Sequence, residues 1–181
     1  MKHIAYVFLL AMIVGWPMAA SGQIAEQGRH GVQFGWGAAF TGQVDLSGHD
    51  MSTAGIEAYF GMKTAAVDII GLGAGLNMPV SNGHRMLPIF AIVRTNFATR
   101  PTLCFLDLRG GVSVNDYDDG HTNSGAYVSG GLGINLATGH NFSSHIIIGA
   151  SYYDRKKYTV GDIEHYPGSL GMATLRLGIS F

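Results

Sequence analysis

The chain has 181 residues, with 11 Lys and Arg against 12 Asp and Glu, which gives a formal net charge of -1. This balance gives no indication of a nucleic-acid partner, and the single cysteine, Cys104, excludes an intramolecular disulfide framework. Only 13% of the residues are charged and the mean hydropathy is +0.20. No apolar run of helix length follows the N-terminal region, so a secreted chain of this hydropathy predicts a closed barrel with its apolar surface in lipid.

The N-terminus has the layout of a secretory signal peptide. Lys2 precedes an apolar run from Ile4 to Val14, and small residues follow at 19–22. A membrane-anchoring helix is the alternative, but it needs about 20 apolar residues and this run is shorter. We therefore expect a signal peptide over residues 1–22, with cleavage before Gln23, and one mature domain over residues 23–181.

Alternation of apolar and polar residues predicts eight strands, and no segment shows convincing helical periodicity. The predicted strands are residues 30–41, 52–62, 64–77, 85–97, 101–114, 124–136, 141–153 and 169–181. The third is irregular because Asp68 and Ile70 share a face, which predicts a bulge near residues 71–75.

Long polar connections alternate with tight ones in the prediction. The first, third, fifth and seventh are longer, at residues 42–51, 78–84, 115–123 and 154–168, whereas tight turns lie near residues 62–64, 98–100 and 137–140. Strict alternation is typical of a membrane barrel with both termini on the periplasmic side.

The last strand ends on an apolar face with a terminal aromatic residue. Leu175, Leu177, Ile179 and Phe181 share one face, and Arg176 lies on the other. Four phenylalanines fall on the apolar face at the end predicted to be periplasmic, as in an interfacial aromatic girdle: Phe60, Phe97, Phe142 and Phe181.

With its leader, strand count, loop alternation and terminal Phe, the chain resembles the small eight-stranded outer-membrane β-barrels of the OmpA-barrel and OmpX-like superfamily, in the compact form of Bacteroidetes-type genomes. The resemblance implies an all-β fold, an antiparallel up-and-down transmembrane barrel in the bacterial outer membrane. It implies outer-membrane lipid as a partner, insertion by the barrel assembly machinery through the C-terminal strand, and no cofactor. No segment follows the barrel, so we expect no periplasmic peptidoglycan-binding domain.

The polar faces carry six charged residues that we expect to form one belt in the lower half of the lumen: Glu57, Asp68, Arg94, Asp107, Arg109 and Arg176. Eight strands leave an interior only wide enough for side chains, and unpaired buried charge is costly, so opposite charges are predicted to pair. A structural plug is the favoured interpretation, and a gated ion path is the alternative.

Small residues dominate the predicted upper lumen. Thr53, Gly55, Gly111, Ser113, Gly149 and Ser151 face inward, with Phe90, Tyr127 and Met172 among them. Glycines that ease curvature and close packing explain this pattern. The alternative is an outward-facing cavity that binds, or modifies, a lipid or small molecule.

Catalytic and cofactor motifs are not supported. Gly71, Gly73 and Gly75 lie inside a strand and not at a strand-to-helix turn, and the Asp116–Gly120 segment lacks the glutamate of a calcium loop. His140 is close to Ser143 and Ser144, but it belongs to a predicted periplasmic turn. We predict no enzyme and a structural or surface-interaction role for four extracellular loops, without an open pore.

One histidine falls in each predicted long loop: His49, His84, His121 and His165. Loops of a narrow barrel converge, so a divalent metal such as zinc at this rim is a speculative hypothesis. Histidine is also an ordinary loop residue, and this is the favoured interpretation.

Overall fold

A computed structural model of the chain describes residues 33–63, 67–80, 84–97, 103–116, 122–139, 142–156, 158–160, 163–165 and 168–181. The predicted signal peptide, residues 1–22, lies outside these ranges. No helix in the described ranges is long and apolar enough to cross a membrane.

Ten strands follow one another in these described ranges. They are β1 (Gln33–Asp45), β2 (Thr53–Lys63), β3 (Ile69–Pro79), β4 (Arg85–Asn96), β5 (Cys104–Asp116), β6 (Thr122–Thr138), β7 (Ser143–Tyr153), β8 (Tyr158–Val160), β9 (Ile163–His165) and β10 (Leu170–Ser180). β8 and β9 form a separate antiparallel hairpin between β7 and β10.

The eight other strands form a closed barrel in the order β1-β10-β7-β6-β5-β4-β3-β2. All neighbours are antiparallel, and pairing of β1 with β10, from Gly37 opposite Ser180 to Asp45 opposite Met172, closes the sheet. Closure leaves every barrel strand with two hydrogen-bonded neighbours and the sheet without an edge. The predicted eight-stranded, antiparallel, up-and-down barrel is confirmed.

The bulge predicted in the third strand is wrong. β3 pairs with β2 without a register shift from Ile70 to Pro79, and the strand begins only at Ile69. Asp68 precedes the strand, so the strand alternation does not constrain its side chain. A register shift occurs instead in β6, between Asn135 and Ala137.

The strict alternation of connection lengths is also wrong. One end of the barrel, which we call the hairpin end, carries the connections 46–52, 80–84, 117–121 and 154–169; the other, the terminal end, carries 64–68, 97–103 and 139–142 together with Gln33 and Phe181. Only 154–169 is much longer than the rest. The strands extend beyond the segments with alternating hydrophobicity, which shortens the connections. For example, β1 ends at Asp45 and includes residues 42–45 of the predicted first loop.

Apolar side chains face outward along the barrel. Ile56, Leu132 and Ile148 are 56%, 59% and 65% exposed, and Leu177 is half-buried. The predicted inward residues Glu57, Arg109 and Arg176 are buried. A soluble lipocalin-like barrel requires the opposite arrangement, with its apolar faces inside.

Large inward rings lie directly opposite glycines of a neighbouring strand. The pairs are Tyr59 with Gly37, Phe90 with Gly73, Phe105 with Gly133 and His145 with Gly178. The three atoms nearest to a Cβ on Gly133 all belong to the Phe105 ring, and the two nearest to one on Gly37 belong to Tyr59. These glycines therefore supply the space in which the rings pack.

We predict that Leu132→Arg destabilises the barrel in phospholipid vesicles, because Leu132 lies on the exposed apolar face in the middle part of its strand. The expected cost is about 2–4 kcal/mol for a charge near the bilayer midplane. Val44→Arg, outward near the hairpin end of β1, is the control and should cost only about 0–1 kcal/mol. Equal unfolding free energies for the two variants would contradict a lipid-facing band.

We also predict that Gly133→Ala lowers the free energy of unfolding by about 1–3 kcal/mol, because the new methyl group overlaps the buried Phe105 ring. Gly110→Ala is the matched control, since a Cβ there meets nothing within 4 Å. Adding Phe105→Leu should restore part of the stability lost in Gly133→Ala. Equal effects of Gly133→Ala and Gly110→Ala would refute the packing role of the ring.

Candidate functional site: the charged and polar interior

A continuous chain of ion pairs joins the six belt residues, and its first part consists of Asp68, Arg94, Asp107 and Arg109. Arg94 binds Asp107 through Nη2 and Nε, at 2.9 and 3.1 Å from Oδ2. Arg109 Nε reaches the other oxygen of Asp107 at 2.7 Å. Asp68, whose side chain is 37% exposed, lies 4.0 Å from Arg94 Nη1.

In the second part of the chain, two arginines bind Glu57. Arg109 Nη1 forms an ion pair with Glu57 Oε2, and Arg176 Nε lies 3.2 Å from the same oxygen. Acids and arginines thus alternate in the order Asp68, Arg94, Asp107, Arg109, Glu57, Arg176. The structure brings all six predicted belt residues together.

Strand register explains only part of this chain. Arg94 and Asp107 are directly opposite on β4 and β5, and Arg109 is two residues beyond Asp107 on the same face. Glu57, however, is on β2, which is not a neighbour of β5. Its contact with Arg109 crosses the lumen and needs the closed barrel.

Aromatic rings cover the buried guanidinium groups. The Arg94 guanidinium carbon lies 4.7 Å from the Phe105 ring centre and 5.3 Å from that of Tyr59, whose hydroxyl accepts a hydrogen bond from Nη1 at 3.2 Å. Arg109 lies 4.9 Å from the centre of Phe90. Cation–π contacts of this kind partly compensate for the lost hydration of the charges.

Arg176 connects the ion pairs to hydroxyl groups on β6 and β7. Its Nη2 donates to Ser129 Oγ at 2.8 Å, to Tyr127 Oη at 3.1 Å and to Ser151 Oγ at 3.3 Å. Ser151 in turn lies 2.8 Å from Thr174 Oγ1. A network of hydrogen bonds between neutral hydroxyl groups therefore connects the charged belt to the upper lumen.

Gln43 and Tyr153 are the centre of the upper polar cluster. Gln43 Nε2 and the Tyr153 hydroxyl are 3.0 Å apart, and Thr53 donates to Gln43 Oε1 at 3.0 Å. Asn77 Nδ2 donates to the Tyr153 hydroxyl at 3.2 Å. Sequence reasoning missed Gln43 because it fell in a predicted loop, although the inward alternation Gly37, Ala39, Thr41 continues to it.

Apolar and aromatic side chains occupy the upper lumen beside this cluster. Tyr127 lies 5.9 Å from Phe90 and 5.0 Å from Tyr153, ring centre to ring centre. Met86 and Met172 are fully buried with them. The predicted inward glycines Gly55, Gly111 and Gly149 lie against the backbones of neighbouring strands. This packing matches the interpretation that the small residues allow close strand contact.

Arg155 lies at the hairpin end of the lumen, and the sequence did not identify it as a buried residue. It lies buried just after β7, where Nε donates to the carbonyl of Gly168 at 2.8 Å and Nη1 lies 3.0 Å from Met51 Sδ. It belongs to a predicted polar loop, and nothing in the local pattern distinguishes it from its neighbour Lys156, which is exposed.

The predicted girdle residues lie on the outside, toward the terminal end. Phe60 and Phe97 are exposed, and Phe142 packs 5.6 Å from Phe181. Two aromatics absent from the predicted girdle extend it: Phe34 stacks on Phe60 at 5.7 Å, and Trp36 stacks on Phe181 at 4.5 Å.

Of the four rim histidines, the structure describes the side chains of His49 and His84 alone. His49 is exposed and His84 is buried, whereas His121 and the side chain of His165 lie outside the described residues. No group of three or more His, Cys, Asp or Glu side chains among the described residues is arranged to hold a metal ion. The zinc hypothesis stays a prediction.

The described strands thus form a closed eight-stranded antiparallel barrel with apolar side chains outside and ion pairs inside. The chain is similar to the N-terminal β-barrel domain of Pseudomonas aeruginosa OprF, with 16% identity, a TM-score of 0.53 and coverage of 83% of this chain and 100% of that domain. It is also similar to Neisserial surface protein A, with 12% identity, a TM-score of 0.53 and coverage of 83% and 97%. At these identities the likeness shows the fold alone. No family model and no curated protein sequence matches the chain.

We predict that Arg109→Met strongly destabilises the barrel, because Glu57 and Asp107 both lose a buried partner. Breaking a fully buried pair from one side costs about 3–5 kcal/mol. The measurement is equilibrium unfolding, with heat-modifiability on gels as the test of folding.

Arg85→Met is the control for Arg109→Met, since Arg85 is exposed near the hairpin end of β4. Equal stabilities of Arg109→Met and Arg85→Met would mean that the belt is hydrated and loosely coupled.

Proposed function

We propose that this protein is an integral outer-membrane barrel without an open pore or a catalytic role, which acts through the loops of its hairpin end at the cell surface. Residues 1–22 would direct export as a cleaved signal peptide, and β10 would engage the barrel assembly machinery. Outer-membrane lipid would be the immediate partner, and no cofactor is required. The observation that carries the proposal is a closed barrel that is apolar outside and ionic inside.

The outer surface supports a lipid environment. Every barrel strand carries at least one large exposed apolar side chain, and β1, β2, β3, β4 and β6 each carry three or more. Examples are Phe40, Leu72, Ile89, Val128 and Ile148. In water such an exterior would be an extended exposed apolar patch, which soluble monomers rarely carry. In a bilayer the same apolar side chains contact lipid and are not exposed to water.

The interior supports the absence of a pore. Ion pairs cross the lumen between β2 and β5, and Tyr127 and Tyr153 pack above them. A channel would require these contacts to separate. Among the lumen hydroxyls, Ser129 and Ser151 bond to each other at 3.0 Å and to Arg176.

The connection 46–52 has an ordered structure suited to surface recognition. The Asp45 carboxylate accepts hydrogen bonds from the backbone N–H groups of Ser47 and His49 at 2.7 and 2.6 Å. The Ser47 hydroxyl accepts another from Gly171 N at 2.6 Å, which ties the loop to β10. A loop ordered before binding loses less conformational entropy when a partner binds.

Two measurements test the proposal. In a Cys104→Ala background, Lys156→Cys at the hairpin end should react with a membrane-impermeant maleimide on intact cells, because Lys156 is exposed. Thr138→Cys, exposed at the terminal end, is the matched control and should react only after lysis. The reverse labelling pattern would overturn the orientation.

The second measurement is conductance in planar bilayers. The refolded protein should give no stable unitary current steps, because the ion pairs and rings occupy the lumen. Reproducible steps from the wild-type protein would contradict a closed interior.

A further inference from the structure

The pairing between β3 and β4 is interrupted near the hairpin end of the barrel. Residues 69–74 of β3 pair without a break with residues 89–94 of β4, and one further pair follows, Asn77 with Met86. The two positions between them are unpaired on both strands, although the structure describes all four residues there. Because the gap has the same length on each strand, the register does not change. The interruption is therefore a loss of hydrogen bonds and not a bulge.

Pro88 explains the gap, because proline has no backbone N–H to donate. Consecutive residues of an antiparallel strand direct their backbone groups to opposite neighbours. Pro88 remains paired with Ser113 on β5, so the missing donor belongs to the side that faces β3. The carbonyl of Gly75, opposite Pro88, therefore receives no hydrogen bond from β4. Loss of this one bond also removes the adjacent pair.

Each of the two strands stays attached to its other neighbour up to the hairpin end. β3 pairs with β2 as far as Pro79, and the next residue, Val80, donates to the carbonyl of Ser52 at 2.9 Å. β4 pairs with β5 as far as Arg85, opposite Asp116. Between β3 and β4 themselves, Pro79 offers no further donor, since it lies two residues beyond Asn77 on the same side of the strand. A single pair thus joins their described parts beyond the gap.

We propose that the barrel wall opens sideways between β3 and β4 at the hairpin end, while β3 stays on β2 and β4 stays on β5. The opening breaks only the pair of Asn77 with Met86, and regions with few hydrogen bonds open locally at lower cost than the rest of a protein. This inference concerns the wall of the barrel and goes beyond the surface role proposed above. It does not depend on which end of the barrel faces the cell exterior.

The charged belt limits how far the opening extends. Glu57 on β2 lies opposite Gly75, and its ion pair with Arg109 on β5 joins the two sides of the opening at the lower end of the gap. Beyond that point the inner side chains are Asn77 and Met86, both 0% exposed in the closed wall.

The opening gives the upper polar cluster a lateral route to the surroundings of the barrel. Asn77 Nδ2 donates to the Tyr153 hydroxyl at 3.2 Å, and Tyr153 in turn bonds to Gln43. Separation of β3 from β4 therefore uncovers this cluster through the wall while the ion pairs below it stay formed.

The test is amide hydrogen exchange of the full chain refolded in detergent micelles, measured residue by residue by NMR. The amides of Asn77 and Met86 point across the β3–β4 boundary, whereas those of their neighbours Leu76 and Leu87 point to β2 and β5. We expect the first two to be protected about tenfold less than the second two. Equal protection of all four amides would mean general fraying of the hairpin end and would overturn the proposal.

Pro88→Ala supplies the missing N–H at the gap. The protection of the Asn77 and Met86 amides should then rise by about tenfold, to that of their neighbours, because the boundary regains its hydrogen bonds. Unchanged exchange in a folded Pro88→Ala variant would show that the proline does not cause the opening. If this variant does not fold, the disulfide variant below decides.

A disulfide across the gap tests the opening without a change inside the lumen. Leu76→Cys and Leu87→Cys, in a Cys104→Ala background, face each other on the outer surface, and the oxidised and reduced forms are a matched comparison. Oxidation should raise the protection of the Asn77 and Met86 amides to that of the neighbouring amides.

The control disulfide is Leu72→Cys with Ala91→Cys, an outward pair in the unbroken part of the same boundary. Its oxidation should leave exchange at Asn77 and Met86 unchanged. Equal effects of the two disulfides, or no effect of the disulfide across the gap, would overturn a local opening between β3 and β4.

Discussion

The width of an eight-stranded barrel is the constraint on which the rest of this structure depends. Such a lumen has room only for side chains, so each inward group must find its partner across a few ångströms. Rings fit because the opposite residue is glycine, as with Phe105 and Gly133. Charges are tolerated because acids and arginines alternate, as from Arg94 through Asp107 to Arg109. Packing and electrostatics therefore follow from the same geometric limit.

The ion pairs also determine which strands stay in register. Glu57 on β2 binds Arg109 on β5 and Arg176 on β10, so one carboxylate connects three strands that are not neighbours of one another. Buried pairs add little net stability over well-packed apolar groups, but removing one partner leaves a costly buried charge. A slip of one residue would move these charges to the outer face. The belt thus favours one register of the closed barrel over its alternatives.

The outer surface meets a different requirement at the seam where the barrel closes. Trp36 and Phe181 exchange backbone hydrogen bonds, with Phe181 N 2.8 Å from Trp36 O, and their rings stack. Phe142, which directly precedes β7, packs on the same Phe181 ring. Aromatic rings favour the boundary between lipid and water. Closure of the sheet and the interfacial girdle therefore use the same residues.

The amino-acid sequence predicts the eight barrel strands, their antiparallel barrel and the face on which each charged strand residue lies, because alternation with period two is a local property of the chain. It also identified all six belt residues. It does not define the strand ends, so it predicts Gln43 in a loop and a bulge near residues 71–75. Only the tertiary structure decided the partners of Glu57, the glycine opposite each ring and the burial of Arg155. These contacts join residues far apart in sequence, and their distances exist only after β1 and β10 close the barrel.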